Sequence, residues 1–485
     1  MERLLISRRR ALGLAGVAAA GLAAAPFSGP AVHASPPTDS PRIDRKAKNV
    51  IFLVSDGMSS GTLILADLYS RTQLGRESAW SVLMRRPGFR RALQTTHSAD
   101  GWVTDSAAAS SAWGIGVKVE NGSIGIGTDR LARVPILVHA AQNGKKTGLV
   151  TTTRVTHATP AGFSANVPRR DMERDIAIDQ ITRKIDVILG GGSRFFSPKV
   201  LERGKDTVIV RTAEELAKHE HAAGKPTLGL FASSHLPFVV DRESSVPGLA
   251  AMSAKALDAL SKSAEGFVLQ IEGGRVDHAA HSSDAWGLVR EQIEFDETLA
   301  AVAAWVQTRD DTLLIITSDH GNANPGLTLY GKRGKDAFAK LARAKNTFEW
   351  IDGKLPPAER MADRLAAIPG LVEQATGVAL GAEAVKRLAA SIRGEPTEAF
   401  AANNVWSFVL GQLLANEWGV SFISPNHTSD PVELLAFGPG AEAIPTWVDN
   451  TQLHTVMVAA LGLAPATPLP GFDKPVPALK PLSDD

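Results

Sequence analysis

The stretch that decides the fold is GFVLQIEGGRVDHAAH, residues 266–281. Its first six residues are almost all apolar, which predicts a buried β-strand. Glu272, Asp277, His278 and His281 follow directly, and a helix beginning there would present Asp277 and His281 on one face. Oxygen and nitrogen ligands at that spacing suit zinc or a similar divalent cation, while Glu272 is free to serve a harder cation nearby. An isolated Asp-x-x-x-His pattern is better explained as a charged turn before a capped helix, so the choice here depends on the rest of the chain.

Two further apolar runs end at polar residues in the same way. The runs 49–54 and 312–318 predict buried strands, and they are followed by Asp56 and by the pair Asp319-His320. Since α/β sheets place ligands at the carboxyl ends of their parallel strands, we expect these side chains to converge with those of the opening stretch. Two divalent cations held about 4 Å apart by such ligands are the arrangement used for displacement at phosphorus.

The remaining strand patterns set the fold class. The run 146–153 leads into His157 and Thr159, and helical patterns separate it from several shorter candidates. These shorter strands are predicted at 186–189, 207–210, 227–231 and 432–437. Such alternation predicts an α/β fold, a three-layer α/β/α sandwich with a large, mostly parallel central sheet.

The segment from about 322 to 426 differs from the strand-rich parts of the chain, because its apolar residues recur at helical spacing in several places. A stretch of this length is rarely a bare loop. We interpret it as a helical insertion beside the site. A lid, an oligomer contact and an inert decoration all stay open as its role.

Ser106 and the pair Arg169-Arg170 are the other candidates for chemistry. Asp105 or Ser106 can cap a helix of small residues, and that is the simpler explanation. A serine hydroxyl at a helix N-terminus also lies where an anion is favoured, and it becomes a nucleophile when a bound metal lowers its pKa. An arginine pair is usually solvated surface, but one guanidinium could clamp a phosphate through two hydrogen bonds.

Composition and the chain ends give the remaining bounds. The 485 residues are 44% hydrophobic and 21% charged with a formal net charge of +1, so nothing indicates a nucleic acid or an anionic membrane as partner. Cysteine is absent, which excludes a disulfide framework. Residues 1–34, with Arg8-Arg9-Arg10 before a mild apolar run, resemble a twin-arginine export signal, and the run is too short and too glycine-rich for a stable membrane anchor. We therefore expect a linker at 35–47, a catalytic domain at 48–485 with a Pro-rich tail from 465, and a location in the periplasm or outside the cell.

Several motifs in order resemble those of the alkaline phosphatases. The resemblance runs from about residue 49 to 462, and it is specific because every motif occurs in the family's order. The matching motifs are Asp56-Gly-Met, Thr104-Asp-Ser106-Ala-Ala, Gly116-Val-Lys118, His157-Ala-Thr159-Pro, residues 272–281, Ser318-Asp319-His320-Gly and His427-Thr.

The resemblance implies three metal sites, two for zinc and one for magnesium. It implies a first zinc held by Asp277, His281 and His427, and a second held by Asp56, Asp319 and His320, with Ser106 as its reactive ligand. It implies that Asp56 also bridges to the third ion, which Thr159 and Glu272 complete. Arg170 matches the phosphate-binding arginine, with Arg169 as the alternative.

The family also implies the reaction, namely hydrolysis of phosphate monoesters through a phosphoserine, for phosphate scavenging. Asp105, His157 and His278 would lie around the substrate. His157 and His278 stand where some bacterial relatives carry Asp and Lys, which makes zinc or cobalt an alternative at the third site. A monomer and a homodimer both stay open.

Two rival functions require different residues from this one. A related metal-dependent phosphodiesterase or sulfatase would keep the two-zinc ligands but lack the third site formed by Thr159 and Glu272, and a sulfatase of the cysteine type is excluded by composition. A non-catalytic metal-binding or phosphate-binding protein has no need of a nucleophile such as Ser106.

Overall fold

The computed structural model describes residues 43–222 and 224–476. The proposed export signal at 1–34, most of the linker at 35–47 and the end of the Pro-rich tail lie outside these residues. None of the helices in the described ranges combines the length and the apolar content that a membrane crossing needs.

In the part of the chain that the structure describes, ten strands form one large sheet, and four two-residue strands pair beside it. The strands are β1 (Asn49–Ser55), β2 (Arg90–Thr95), β3 (Lys146–Arg154), β4 (Val187–Gly191), β5 (Val208–Val210), β6 (Thr227–Leu230), β7 (Phe267–Gly273), β8 (Thr312–Thr317), β9 (Gly321–Asn322), β10 (Gly326–Leu327), β11 (Val420–Ser421), β12 (His427–Thr428), β13 (Val432–Phe437) and β14 (Trp447–Asp449).

Helices alternate with these strands and also fill the segment between β10 and β11. They are α1 (Ser60–Gln73), α2 (Ala79–Arg85), α3 (Ser106–Ile115), α4 (Ile136–Gln142), α5 (Ala158–Ser164), α6 (Glu173–Thr182), α7 (Pro198–Leu201), α8 (Ala213–Lys218), α9 (Leu249–Leu260), α10 (Arg275–His281), α11 (Ala285–Gln307), α12 (Gly331–Ala339), α13 (Phe348–Lys354), α14 (Met361–Thr376), α15 (Ala382–Ile392), α16 (Trp406–Trp418) and α17 (Asn450–Leu461).

The order of the large sheet is β14-β2-β13-β8-β1-β7-β3-β4-β6-β5, which places β1 in its middle. Its strands are parallel except that β13 runs antiparallel to both of its neighbours. In this register Val54 lies opposite both Glu272 and Thr317. The polar residues that follow β1 and β8 therefore emerge at the same edge as the end of β7.

Both faces of the sheet are covered, which confirms the predicted α/β/α sandwich. Val50, Phe52 and Val54 of β1 point into one hydrophobic core, together with residues of α3, α4 and α17. Ile51 and Leu53 point into the other core, together with residues of α9 and α11. This alternation follows from the two-residue period of a strand, and the burial of both faces explains why β1 is an unbroken apolar run.

The predicted strands all form, with bounds that differ by one or two residues. The strand β2, between β14 and β13, is not predicted, because its sequence RRALQT is polar and its side chains are mostly exposed or half-buried. The three-residue β14 beside it has too little pattern to be recognised. Both depend on pairing with β13 or with each other rather than on local sequence.

Candidate metal centre and nucleophile

Among the described residues, three groups of metal-ligand side chains lie at the carboxyl edge of the sheet. In each group the ligand atoms lie within 4.8 Å of one another. The groups are Asp277 with His281 and His427, Asp56 with Asp319 and His320, and Asp56 with His157 and Glu272. Because Asp56 belongs to two of them, the groups form one continuous centre.

The first group joins α10 to β12. Nε2 of His281 lies 3.3 Å from one carboxylate oxygen of Asp277, and Nε2 of His427 lies 3.5 Å from the other. The Nδ1 atoms of the two rings face the carbonyl oxygens of Pro425, at 2.6 Å, and Thr104, at 2.8 Å. Since a carbonyl only accepts, each Nδ1 carries a proton. Each ring therefore turns its Nε2, the atom that a cation would bind, towards Asp277.

The second group is entirely buried at the ends of β1 and β8. Nε2 of His320 lies 3.0 Å from Oδ2 of Asp319 and 3.7 Å from Oδ1 of Asp56. Asp319 is held in place by its other oxygen, which accepts the backbone N–H of Gly57 at 3.0 Å. Ser106 joins this group, because its Oγ lies 3.2 Å from Nε2 of His320.

The third group surrounds Glu272. Oε2 of Glu272 accepts hydrogen bonds from the hydroxyls of Thr153, at 3.2 Å, and Thr151. The hydroxyl of Thr159 lies 3.4 Å from Oδ2 of Asp56, so Thr159 is adjacent to the group as expected. His157, which we expected near the substrate, is itself within ligand distance of Asp56 and Glu272.

The buried carboxylates of this centre fit bound cations. Burial, reinforced by the nearby carboxylate of Asp319, raises the pKa of Asp56 well above its ordinary value, and burial raises the pKa of Glu272 to about 7. Burial also opposes ionisation of Asp277, but His281 and His427 outweigh it and hold the pKa of Asp277 well below its usual range. Within the described ranges, Oδ1 of Asp56 and Oε1 of Glu272 have no hydrogen-bond partner. Such oxygens are costly to bury unless a cation neutralises them.

Ser106 is the first residue of α3. Asp105 caps this helix by accepting the backbone N–H of Ala108 at 2.9 Å, which confirms the predicted helix start. The serine hydroxyl therefore lies at the positive end of the helix dipole and beside the second metal group. Ser106 is buried beside the ligands of this group.

Arg170, rather than Arg169, points into the centre. Its Nη1 donates to Oδ2 of Asp105 at 2.9 Å, and its Nη2 lies 3.1 Å from Nε2 of His157. Arg169 instead pairs with Asp171 at 3.1 Å in an exposed position. The guanidinium of Arg170 is thus braced from two sides beside the nucleophile's helix.

Sequence reasoning missed His235, whose ring centroid lies 4.3 Å from that of His278 and 5.4 Å from that of His157. His235 lies in the loop that follows β6, so its place after a predicted strand is the signal that could have found it. Asn322 was also missed, although it follows the Asp319-His320 pair closely. Its amide donates to Oδ1 of Asp277 at 2.6 Å.

Comparison with known proteins gives one consistent family. The family model described as "Alkaline phosphatase" matches residues 47–207 and 201–463. Alkaline phosphatase 4 of Bacillus subtilis (strain 168) is 29% identical over 91% of this chain and 94% of its own length. The crystal structure of Thermus thermophilus alkaline phosphatase has a TM-score of 0.81 and is 32% identical, covering 90% of this chain and 95% of that one. The cold-active alkaline phosphatase from Shewanella sp. has a TM-score of 0.70 and is 25% identical, covering 85% of this chain and 99% of that one.

Proposed function

The chain belongs to the alkaline phosphatase family and hydrolyses phosphate monoesters, and we propose that it does so with Ser106 as nucleophile, through a phosphoserine intermediate. The observation that carries this proposal is the position of the Ser106 hydroxyl, 3.2 Å from Nε2 of His320 in a buried metal-ligand group. A metal-binding protein without catalysis would have no use for a hydroxyl at that place.

The enzyme is metal-dependent, like its family, and we propose two zinc ions and one magnesium ion as its cofactors. Asp277, His281 and His427 would hold the first zinc. Asp56, Asp319 and His320 would hold the second. Asp56, Thr159 and Glu272 would hold the magnesium, where His157 is a further ligand that makes zinc or cobalt an alternative. Such ions, when bound, lower the pKa of hydroxyl and water oxygens and neutralise charge on the phosphate.

The protein's own groups supply attack and positioning. Ser106 Oγ forms a bond to phosphorus as the bond to the leaving alcohol oxygen breaks, and water then cleaves the phosphoserine to release inorganic phosphate. Arg170 donates to two non-bridging oxygens of the phosphate, a geometry for which a planar guanidinium is suited. Asp105 and His157 hold that guanidinium in place. His278 completes the surroundings of the phosphate, since its ring centroid lies 5.6 Å from that of His157.

An acid-quench assay tests the nucleophile. The purified enzyme is mixed with a monoester whose phosphate is radiolabelled, quenched in acid and precipitated. We expect label on the wild-type protein and none on Ser106→Ala, whose turnover should fall by several orders of magnitude. Unchanged turnover in Ser106→Ala, or a preference for a phosphate diester over the monoester, would contradict the proposal.

A second comparison tests the phosphate clamp. Arg170→Ala should raise KM for the monoester, while Arg169→Ala, at the exposed neighbouring position, should leave it unchanged. If KM rises in Arg169→Ala and not in Arg170→Ala, then Arg169 is the residue that binds the phosphate.

We further propose that the enzyme is exported by the twin-arginine route and scavenges phosphate outside the cytoplasm. The support is the sequence at 1–34, with three consecutive arginines before an apolar run. Replacing Arg8, Arg9 and Arg10 by Lys should leave the phosphatase activity inside the cell, and continued export of that variant would refute the route.

A further inference from the structure

The segment 322–426 shares a hydrophobic core with the helix that carries two of the candidate metal ligands. Val276, Ala279 and Ala280 of α10 pack in one cluster with Phe348 and Ile351 of α13. The cluster is distinct from the two cores that cover the sheet. The position of α10 therefore depends on packing against this segment as well as on β7.

The start of α13 is fixed to the rest of the catalytic domain by hydrogen bonds. Asp241 accepts the hydroxyl of Thr347 at 2.5 Å and the side-chain amide of Asn346 at 2.8 Å. Asp284, which caps α11, accepts the backbone N–H of Phe348 at 2.8 Å. Glu349 is the next residue, so its backbone has a defined position relative to α10.

Arg275, the first residue of α10, is a buried cation that reaches both the segment and the centre. Its side chain is 3% exposed, and its guanidinium lies 3.7 Å over the ring of Phe238. Its Nη2 donates to Oε2 of Glu349 at 2.6 Å, and its Nη1 lies 2.8 Å from Nδ1 of His278. A buried guanidinium is costly unless a counter-charge accompanies it, and Glu349 supplies that charge.

This contact determines which nitrogen of His278 carries the proton. A guanidinium has donors and no acceptor, so Nδ1 of His278 must offer its lone pair. The neutral ring then carries its proton on Nε2. His278 is thereby a donor at one defined atom, and its orientation is set by Arg275.

We propose that Glu349 and Arg275 are positioning residues that orient His278 for binding of the phosphate group, so that the segment 322–426 completes the active site. This inference rests on the proposed function of the site. It assigns the segment a role that neither an inert decoration nor a distant oligomer contact would have.

Glu349 can be replaced without opening the core, because its side chain is 58% exposed. The same helix offers a matched control in Asp352, which is 56% exposed and pairs with Arg364 at 3.0 Å within the segment. The variants to compare are Glu349→Ala, Glu349→Gln and Asp352→Asn. Each is measured for KM and kcat with a monoester, for the dissociation constant of inorganic phosphate by calorimetry, and for metal content and urea unfolding.

We expect Glu349→Ala to raise KM and the dissociation constant of inorganic phosphate together, by about 3- to 10-fold, which corresponds to the loss of about one hydrogen bond. Glu349→Gln keeps an acceptor oxygen at the same reach and should fall between Glu349→Ala and the wild type. Asp352→Asn should bind phosphate like the wild type, and metal content should be unchanged in all three variants.

Equal phosphate binding in Glu349→Ala and the wild type would overturn the inference. So would a matching loss in Asp352→Asn, since that result would indicate a general effect of helix α13. These outcomes are separate from the proposed function, which fails if the wild-type enzyme shows no phosphomonoesterase activity that depends on Ser106 or prefers a phosphate diester.

Discussion

Replacing Gly114 by alanine should disturb the nucleophile's helix. Gly114 lies in α3, and a Cβ atom there would lie 1.9 Å from the carbonyl oxygen of Gly162 in α5. That oxygen belongs to the backbone, so it cannot rotate away as a side chain would. To restore even a 3.0 Å contact the two helices must separate by about 1 Å.

The structure predicts both a stability cost and a catalytic cost. Overpacking at a rigid contact of this kind costs about 1–3 kcal/mol in the free energy of unfolding. The two helices carry Ser106 and Thr159, so their separation also moves the nucleophile relative to the third metal group. A misplacement of about 1 Å can lower turnover by about 100-fold.

Gly370→Ala provides the matched control. Gly370 also lies within a helix, α14, but a Cβ atom there meets nothing within 4 Å. Alanine should therefore stabilise the protein by about 0.5–1 kcal/mol through its higher helix propensity. Urea unfolding and monoester hydrolysis are measured on both variants to obtain the stability cost and the catalytic cost. If Gly114→Ala unfolds and turns over like Gly370→Ala, the close approach of α3 and α5 is not what holds Ser106 in place.

Three further outcomes are expected. A chelator should abolish activity and lower the unfolding temperature, because the buried carboxylates of Asp56 and Glu272 lose their counter-charge. Adding zinc and magnesium should restore the activity and the unfolding temperature. Activity that survives exhaustive chelation would exclude the metal centre as the catalytic site. Because burial lowers the pKa of His454 to about 4, the unfolded chain protonates this histidine at a higher pH than the folded protein does. The free energy of unfolding should therefore fall by about 2 kcal/mol between pH 6.5 and 5. In urea unfolding, His454→Asn should show a smaller fall over that range. The indole N–H of Trp113 donates to Oε1 of buried Gln94 at 2.9 Å, so Trp113→Phe should lower the free energy of unfolding by about 1–3 kcal/mol. A decrease of only a few tenths of a kcal/mol would show that this hydrogen bond contributes little.

Local sequence was sufficient where neighbouring residues determine the structure. The apolar runs before Asp56 and Glu272 form β1 and β7 because a strand buried on both faces needs continuous apolar side chains. Asp105 caps α3 because its short side chain accepts an N–H group of the first turn. The order of motifs then identified the family.

Other parts of the site depend on residues far apart in the chain. His235 follows the strand predicted at 227–231, but its contact with His278 exists only because two connections meet at the sheet edge. The sequence likewise left Arg169 and Arg170 as alternatives, since adjacent residues differ only in the direction that the folded backbone gives them.

The sequence by itself therefore determined the apolar strands of the sheet, the ligand-bearing strand ends and the nucleophile's helix, because each depends on interactions within a few residues. Only the tertiary structure brought His427 to Asp277, turned Arg170 towards Asp105 and placed Glu349 against Arg275. These contacts join residues 65 to 150 positions apart. They are set by the packing of whole elements against one another, which no local pattern of side chains encodes.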